Sequence, residues 1–226
     1  MRMRGWRLHA MTGRQAIVAA ALFLAACVPY KPMLSLESSP QTIPVNVLVQ
    51  PLRDASPPED KEHSATRSFS QTHPDSLEGE LSVLVTQAIL SDFRSTSVFR
   101  SIRRQEAHPD LILSGTIHRF HGQVSIPTWL LIPGVGWATQ IFWSPMQEWE
   151  GEVDLELTLS TPTGELLKTY RGRADYEEIA DYDSRYWSSP QLPAHRRLNH
   201  AFTEAMQQIR DQILRDREQL TVHIRR

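Results

Sequence analysis

The sequence predicts an α+β fold: a small mixed sheet with two helices packed on one face, preceded by a signal peptide and a flexible tether. Apolar and polar residues alternate over Glu150–Thr161, which is typical of a strand with one buried face. Ser76–Phe93 and Ala194–Glu218 instead carry apolar residues at helical spacing. The resulting order of strand, helix, strand, insertion, strand, strand and helix favours both helices on one side of the sheet.

Residues 1–26 have the pattern of a secretory signal peptide. Four arginines precede an apolar run that extends from Ala16 to Cys27, and no acidic residue occurs before Glu37. The run is shorter than the roughly 20 residues that a permanent membrane-spanning helix needs. A basic start, a short apolar core and a small-residue end are typical of a segment that is removed on export. An uncleaved anchor is the alternative interpretation.

The apolar run ends in Leu24-Ala25-Ala26-Cys27, which resembles the lipobox of bacterial lipoproteins. The resemblance implies that the Cys27 sulfur receives a diacylglyceryl group and that the chain is cut before Cys27. The new amino terminus would then be acylated, for example with palmitate. Val28 follows the cysteine where aspartate would resemble a signal for inner-membrane retention, so the same resemblance implies anchoring at the periplasmic face of the outer membrane. A signal peptide with an incidental cysteine is the alternative.

Composition excludes several classes of function. The leader carries four of the 24 Lys and Arg residues and none of the 26 Asp and Glu residues, so the mature chain has a formal charge of −6. Such an acidic chain is not expected to bind nucleic acid. Cys27 is the only cysteine, which leaves no partner for an intramolecular disulfide and no thiolate metal cluster.

The mature chain begins with a predicted lipidated tether over 27–42, which is rich in proline and serine and shows little periodicity. The periplasmic domain is predicted to occupy 43–226. Its first strand starts at Ile43, where apolar residues alternate up to Val49. Arg53–Asp75 is polar and predicts a loop.

The first helix is predicted over Ser76–Phe93, with Asp75 as its N-cap and Glu78 as the capping-box partner. A short extended link, 97–102, and a strand over Asp110–Gly122 follow. After the insertion, Glu150–Thr161 and Leu166–Tyr176 form a hairpin, because Thr161–Glu165 has turn composition. The apolar face of the last helix consists of Leu198, Phe202, Ala205, Met206, Ile209 and Ile213.

This element order is similar to that of several envelope lipoproteins. The resemblance lies in the order itself, in the strand over Leu111–Gly122 and in the Glu150–Gly172 hairpin. The similar proteins are the YajG-like group, the curli secretion lipoprotein CsgG and the amino-terminal domain of TolB. The resemblance implies a role in the cell envelope.

The insertion over 125–146 has no charged residue and contains three of the six tryptophans. Three interpretations stay open: an apolar lid folded onto the core, a contact with a partner or a second copy, and insertion into the inner leaflet. Its two arms are too short for a membrane-spanning hairpin, which disfavours a pore. The predicted membrane or partner contacts are Trp129, Leu130, Leu131, Trp137, Phe142 and Trp143.

Catalytic, cofactor-binding and metal motifs are absent from the sequence. His118 and His121 lie three apart on a predicted strand, so they are expected on opposite faces and unable to share a metal ion without a bend. His195 and His200 are expected to be exposed. Arg100, Arg103 and Arg104 are expected to cap the helix-to-strand link rather than contact lipid head groups.

The sequence therefore predicts a non-enzymatic, lipid-anchored protein of the outer membrane. Its domain is expected to bind or scaffold an envelope component by presenting a sheet edge and the 125–146 insertion. The alternative is an oligomeric subunit of an export or secretion assembly, with the insertion at a contact between protomers or with the membrane.

Overall fold

The computed structural model describes residues 29–39, 41–62, 68–125, 146–181 and 193–224. Within these ranges, seven strands form one sheet in the order β4-β1-β5-β6-β7, and the short strands β2 and β3 also pair with β5. β1 is parallel to β4 and β5, whereas β6 is antiparallel to β5 and β7. The strands are β1 Ile43–Val49, β2 Arg53–Asp54, β3 Ser68–Ser70, β4 Phe99–Arg103, β5 Leu111–Ser125, β6 Met146–Ser160 and β7 Leu166–Asp181.

Three α-helices of the described chain accompany the sheet: α1 Leu81–Ser95, α2 Pro193–Arg215 and α3 Arg217–Ile224. The buried apolar side chains of the long strands share one face, as the pairing of Leu113 with Leu159 and of Leu157 with Tyr170 shows. The apolar faces of α1 and α2 join the same core. The predicted α+β fold, a mixed sheet with its helices on one face, is confirmed.

The helix α2 lies very close to strand β7. A Cβ atom at Gly172 would come within 2.0 Å of the carbonyl oxygen of Ala205, so only glycine fits at this contact. All six apolar residues predicted for this helix are fully buried, and together they cover β5, β6 and β7. Burial of one face, rather than helix propensity, therefore holds α2 in place.

The first helix begins later than predicted. α1 starts at Leu81, and its N-cap, Glu80, makes no capping hydrogen bond through its side chain. Pro74–Ser76 forms a 3-10 turn instead, and Leu77 forms a bridge with Tyr30 in a parallel arrangement. The predicted capping role of Asp75 and Glu78 is therefore wrong, because this stretch pairs with the amino-terminal segment.

Strand β5 contains a bulge that the sequence pattern did not predict. Ile117 pairs with Leu155 and Arg119 with Asp154, so His118 is an extra residue in β5. The bulge turns Arg119 and His121 onto the open face, where each contacts Asp60. His118 contacts Glu156 on that face as well, at 3.5 Å, so the expectation that the two histidines point to opposite faces is wrong.

Candidate functional site

Residues 29–39 form an extended segment, here called the strap, which lies in the groove between α1 and α2. From Tyr30 to Leu36, its even-numbered side chains point into the groove. Tyr30 and Pro32 are buried, and Leu34 and Leu36 are half-buried. The odd-numbered residues Lys31, Met33 and Ser35 are exposed. The strap therefore packs as a strand would, with one face toward the core.

The strap is packed against the domain, whereas the sequence predicted a flexible tether over 27–42. Tyr30 is fully buried, and its ring lies 6.4 Å from that of Phe120 in β5. Its backbone N–H donates to the carbonyl oxygen of Ser76 at 2.7 Å, and its carbonyl oxygen accepts from Glu78. The folded domain consequently includes the chain from Pro29 onward.

Polar side chains from both helices bind the strap backbone. Asn199 of α2 accepts from the Tyr30 hydroxyl at 2.8 Å and from the backbone N–H of Met33 at 3.0 Å. Asp92 of α1 accepts from the N–H of Leu36, at 3.3 Å. The guanidinium of Arg210 in α2 donates to the carbonyl oxygen of Glu37. A backbone bond adds to these contacts, because the N–H of Ser39 donates to the carbonyl oxygen of Thr96.

Burial of the strap and its partners alters their ionisation. Burial raises the pKa of Asp92, although the N–H of Leu36 and the charge of Arg210 partly offset this. Burial likewise raises the pKa of the Tyr30 hydroxyl well above its usual value. The strap groove therefore favours neutral groups.

One end of the domain, here called the anchor end, is where β5 and β7 end and where β6 and α2 begin. The residues at these positions are Ser125, Met146, Asp181 and Pro193. Strand pairing places Ser125 beside the start of β6, and Met146 opposite Asp181. The ring of Tyr30 lies 5.1 Å from that of His195, in the first turn of α2. The strap thus starts at the anchor end.

Side chains at the start of α2 join this helix to the sheet at the anchor end. The guanidinium of Arg197 lies 4.6 Å above the ring of Trp149, and its Nε is 2.7 Å from a carboxylate oxygen of Glu178. His195 is half-buried rather than exposed as predicted, and burial lowers its pKa. His200 is exposed, in agreement with the prediction.

The predicted site residues lie outside the described part of the chain. Cys27 precedes Pro29 by two residues, and the insertion falls between Ser125 and Met146. Both of these segments join the described domain at the anchor end. The predicted contacts outside the described residues are Trp129, Leu130, Leu131, Trp137, Phe142 and Trp143.

The open face of the sheet carries a network of ion pairs that the sequence analysis missed. Arg119 binds both carboxylate oxygens of Asp60, at 2.7 and 2.8 Å, and Glu152 at 2.7 Å. Arg171 binds both carboxylate oxygens of Asp154, which lowers the pKa of Asp154. Asp60 lies in the 3-10 turn Pro58–Lys61, here called the turn.

Side chains from the helices form hydrogen bonds with backbone groups of both outer strands, β7 and β4, along part of their length. The side-chain amide of Gln208 accepts from the N–H of Arg173 at 3.1 Å and donates to its carbonyl at 2.8 Å, as a neighbouring strand would. Gln212 donates to the carbonyl of Arg171 in the same way. On β4, Arg94 donates to the carbonyl of Ile102. The exposed arginines near this second edge are Arg100, Arg103 and Arg104.

Backbone groups that already bind a side chain cannot pair with another strand, so these contacts disfavour addition of a further strand. They therefore weaken the expectation that the domain presents a sheet edge to its partner. Arg94 binds β4 from the last turn of α1, whereas the expectation that Arg100, Arg103 and Arg104 cap the helix-to-strand link stays a prediction.

The described ranges contain no group of three or more His, Cys, Asp or Glu side chains able to hold a metal ion. None of the helices in those same ranges has both the length and the apolar character needed to cross a membrane. The charged groups of the open face form ion pairs with one another rather than converging on a pocket.

No protein-family model matches the chain, and no curated protein matches it. Similar solved structures include a Xanthomonas campestris protein of the DUF330 family, with 12% identity, a TM-score of 0.44 and coverage of 83% of this chain and 92% of that one. An uncharacterized protein has 11% identity and a TM-score of 0.40, with coverage of 79% and 99%. Lipoprotein GNA1162 from Neisseria meningitidis has 14% identity and a TM-score of 0.25, with coverage of 63% and 89%. All three TM-scores are below 0.5, so function is argued from the residues of this chain.

Proposed function

We propose that this chain is a lipid-anchored lipoprotein at the periplasmic face of the outer membrane, and that its domain binds or scaffolds another envelope component without catalysing a reaction. The main observation in support is that the lipobox cysteine and a fully buried residue are close together in the chain. The lipobox cysteine, Cys27, lies three residues before Tyr30, which is fully buried. An acyl chain on Cys27 would therefore be joined to the folded domain itself.

Labelling with a fatty-acid analogue tests the anchor. The wild-type protein should incorporate the label and sediment with membranes, because two or three acyl chains bind a bilayer stably. Cys27→Ser should lose both properties, whereas Ser35→Ala, at an exposed position in the strap, should retain them. Persistent labelling of Cys27→Ser would contradict the proposal.

We place the partner contact in the insertion over 125–146. Two observations support this choice. Two glutamines and Arg94 bind backbone groups of the two outer strands, and Asp60 and Asp154 on the open face are bound to arginines. The insertion is free of charge and rich in tryptophan, which is frequent at protein interfaces.

Capture from crosslinked envelopes tests this contact. Simultaneous replacement of Trp129, Trp137 and Trp143 by alanine should abolish crosslinks while leaving lipid labelling and the unfolding midpoint unchanged. A lowered midpoint with unchanged crosslinks would show that the insertion belongs to the core instead.

The second candidate function is an oligomeric subunit of an export assembly. It rests on the same uncharged insertion, which would then join two copies of the chain. Size measurement of the detergent-solubilised protein separates the two functions, because only the oligomer would exceed the mass of one chain in its micelle. The tryptophan triple variant should return such an oligomer to a single chain.

A further inference from the structure

We propose that the strap seats the anchor end of the domain directly against the lipid surface, so that the domain has a fixed orientation rather than moving on a tether. The proposal rests on the proposed lipidation of Cys27 and adds to it the surface that faces the membrane. For the described residues of the anchor end it commits to one occupant, the bilayer surface that holds the acyl chains.

The length of chain between the proposed lipid and the folded domain is short. Only Val28 and Pro29 lie between Cys27 and Tyr30, so the two Cα atoms are at most about 11 Å apart even when the chain is fully extended. A flexible tether over the 15 residues from 28 to 42 would instead have a root-mean-square span of roughly 22 Å. The short link leaves the domain little freedom to tilt or to move away from the bilayer.

Burial of Tyr30 keeps this link short, because it prevents the strap from detaching from the domain. The side chain is fully buried, its hydroxyl donates to Asn199, and its backbone forms hydrogen bonds with Ser76 and Glu78. Releasing it would expose a large aromatic side chain and break three hydrogen bonds.

The course of the strap determines the direction in which the domain points from the membrane. The strap binds Asn199 near the start of α2 and then Arg210 near its end, so it runs from the anchor end toward the opposite end. The Thr161–Glu165 turn lies at that opposite end, after β6. Because β6 has 15 residues, its two ends are about 46 Å apart.

Charge is not needed to hold the anchor end at the membrane. Exposed cations and anions are mixed there: Lys31 pairs with Glu78, and Glu150 is exposed near the start of β6. Among its described residues, such a mixed surface lacks the cluster of cations that binds anionic lipids. Seating by the strap should therefore be insensitive to salt.

A quenching experiment on the lipidated full-length protein tests the orientation. Acylation blocks the thiol of Cys27, which is the only cysteine, so an introduced cysteine can be labelled alone. A fluorophore is placed on Glu150→Cys near the anchor end or on Thr163→Cys at the opposite end, both at exposed positions. The proteins are reconstituted in phosphatidylethanolamine–phosphatidylglycerol vesicles that contain a lipid with a nitroxide on its head group.

Fluorescence at Glu150→Cys should be quenched far more than at Thr163→Cys, and the difference should persist in 1 M NaCl, where the Debye length is about 3 Å. Insertion of a 20-residue Gly/Ser spacer after Val28 should remove the difference. Equal quenching at the two sites in lipidated protein would overturn the proposal, as would loss of the difference at high salt. Mass measurement of the acyl chains is a separate readout, so a failure of lipidation is distinguished from a failure of seating.

Discussion

Two short segments bind opposite faces of the same sheet by different means. The strap lies on the helix face, where Tyr30 is fully buried and Asn199 binds it through uncharged groups. The turn Pro58–Lys61 lies on the open face, where Asp60 is held by the guanidinium of Arg119. Segments without regular secondary structure can therefore be fixed either by apolar burial or by ion pairs, and the two responses to salt and pH should differ.

The contrast also separates structural roles. The strap would join the proposed lipid anchor to the core, so its contacts must resist salt and displacement if the domain is to stay at the membrane as proposed. The turn covers part of the open face, where Asp60 also contacts His121, Ser70 and Thr72 through its carbonyl oxygen. It thus orders the polar chain that connects β2 to β3.

The largest expected effect comes from truncating the strap residue that is most buried. Tyr30→Ala should lower the free energy of unfolding by about 3–5 kcal/mol, the usual cost of removing a buried aromatic ring. Tyr30→Phe should cost only about 1 kcal/mol, because it removes one hydrogen bond and keeps the ring. Urea unfolding measures both variants. A Tyr30→Ala protein as stable as wild type would show that the strap is not part of the fold.

Crowding on the helix face predicts the next effect. Gly172→Ala places a Cβ atom 2.0 Å from the carbonyl oxygen of Ala205, so α2 must shift. We expect a loss of about 1–3 kcal/mol in urea unfolding, as is typical of overpacking. Gly79→Ala is the matched control, since no atom lies within 4 Å of its new Cβ. Equal stability of the two variants would contradict close packing of α2 on β7.

An ion-pair variant tests the open face. Asp60→Asn should lower the free energy of unfolding by roughly 1–2 kcal/mol, because Arg119 loses one partner but is half-exposed and retains Glu152. The difference should shrink in 1 M NaCl, whereas the cost of Tyr30→Ala should not. Asp75→Asn, at an exposed carboxylate, is the control and should be close to neutral. A salt-independent cost at Asp60 would remove the distinction between the two segments.

Local periodicity predicted the layers of the fold but not these two segments. Val153, Leu155 and Leu157 alternate with polar residues, and all three are buried as the pattern requires. The strap has the same alternation from Tyr30 to Leu36. However, its neighbouring prolines are typical of a linker, and its groove exists only after both helices have packed.

The open face was missed for a different reason, which is distance along the chain. Asp60 and Arg119 are 59 residues apart, so no short-range pattern joins them. The bulge at His118 also shifts the alternation of β5 by one residue, which reversed the expected face of His121. Tertiary pairing, rather than local propensity, decides both features.

The smallest expected effect has opposite signs on the two faces. Burial raises the pKa of Asp92 beside the strap, so its stabilising contribution is present below the unfolded-state pKa of about 3.9 and is lost as pH rises through the folded-state value. The hydrogen bonds from Arg171 lower the pKa of Asp154, so its contribution is present above about 3.9 and is lost as pH falls through the folded-state value. As pH falls from 7 to 3, wild type should therefore gain stability relative to Asp92→Asn and lose it relative to Asp154→Asn. Urea unfolding of the three proteins across this range measures both slopes, and slopes of the same sign would show that the two carboxylates do not sit in opposite environments.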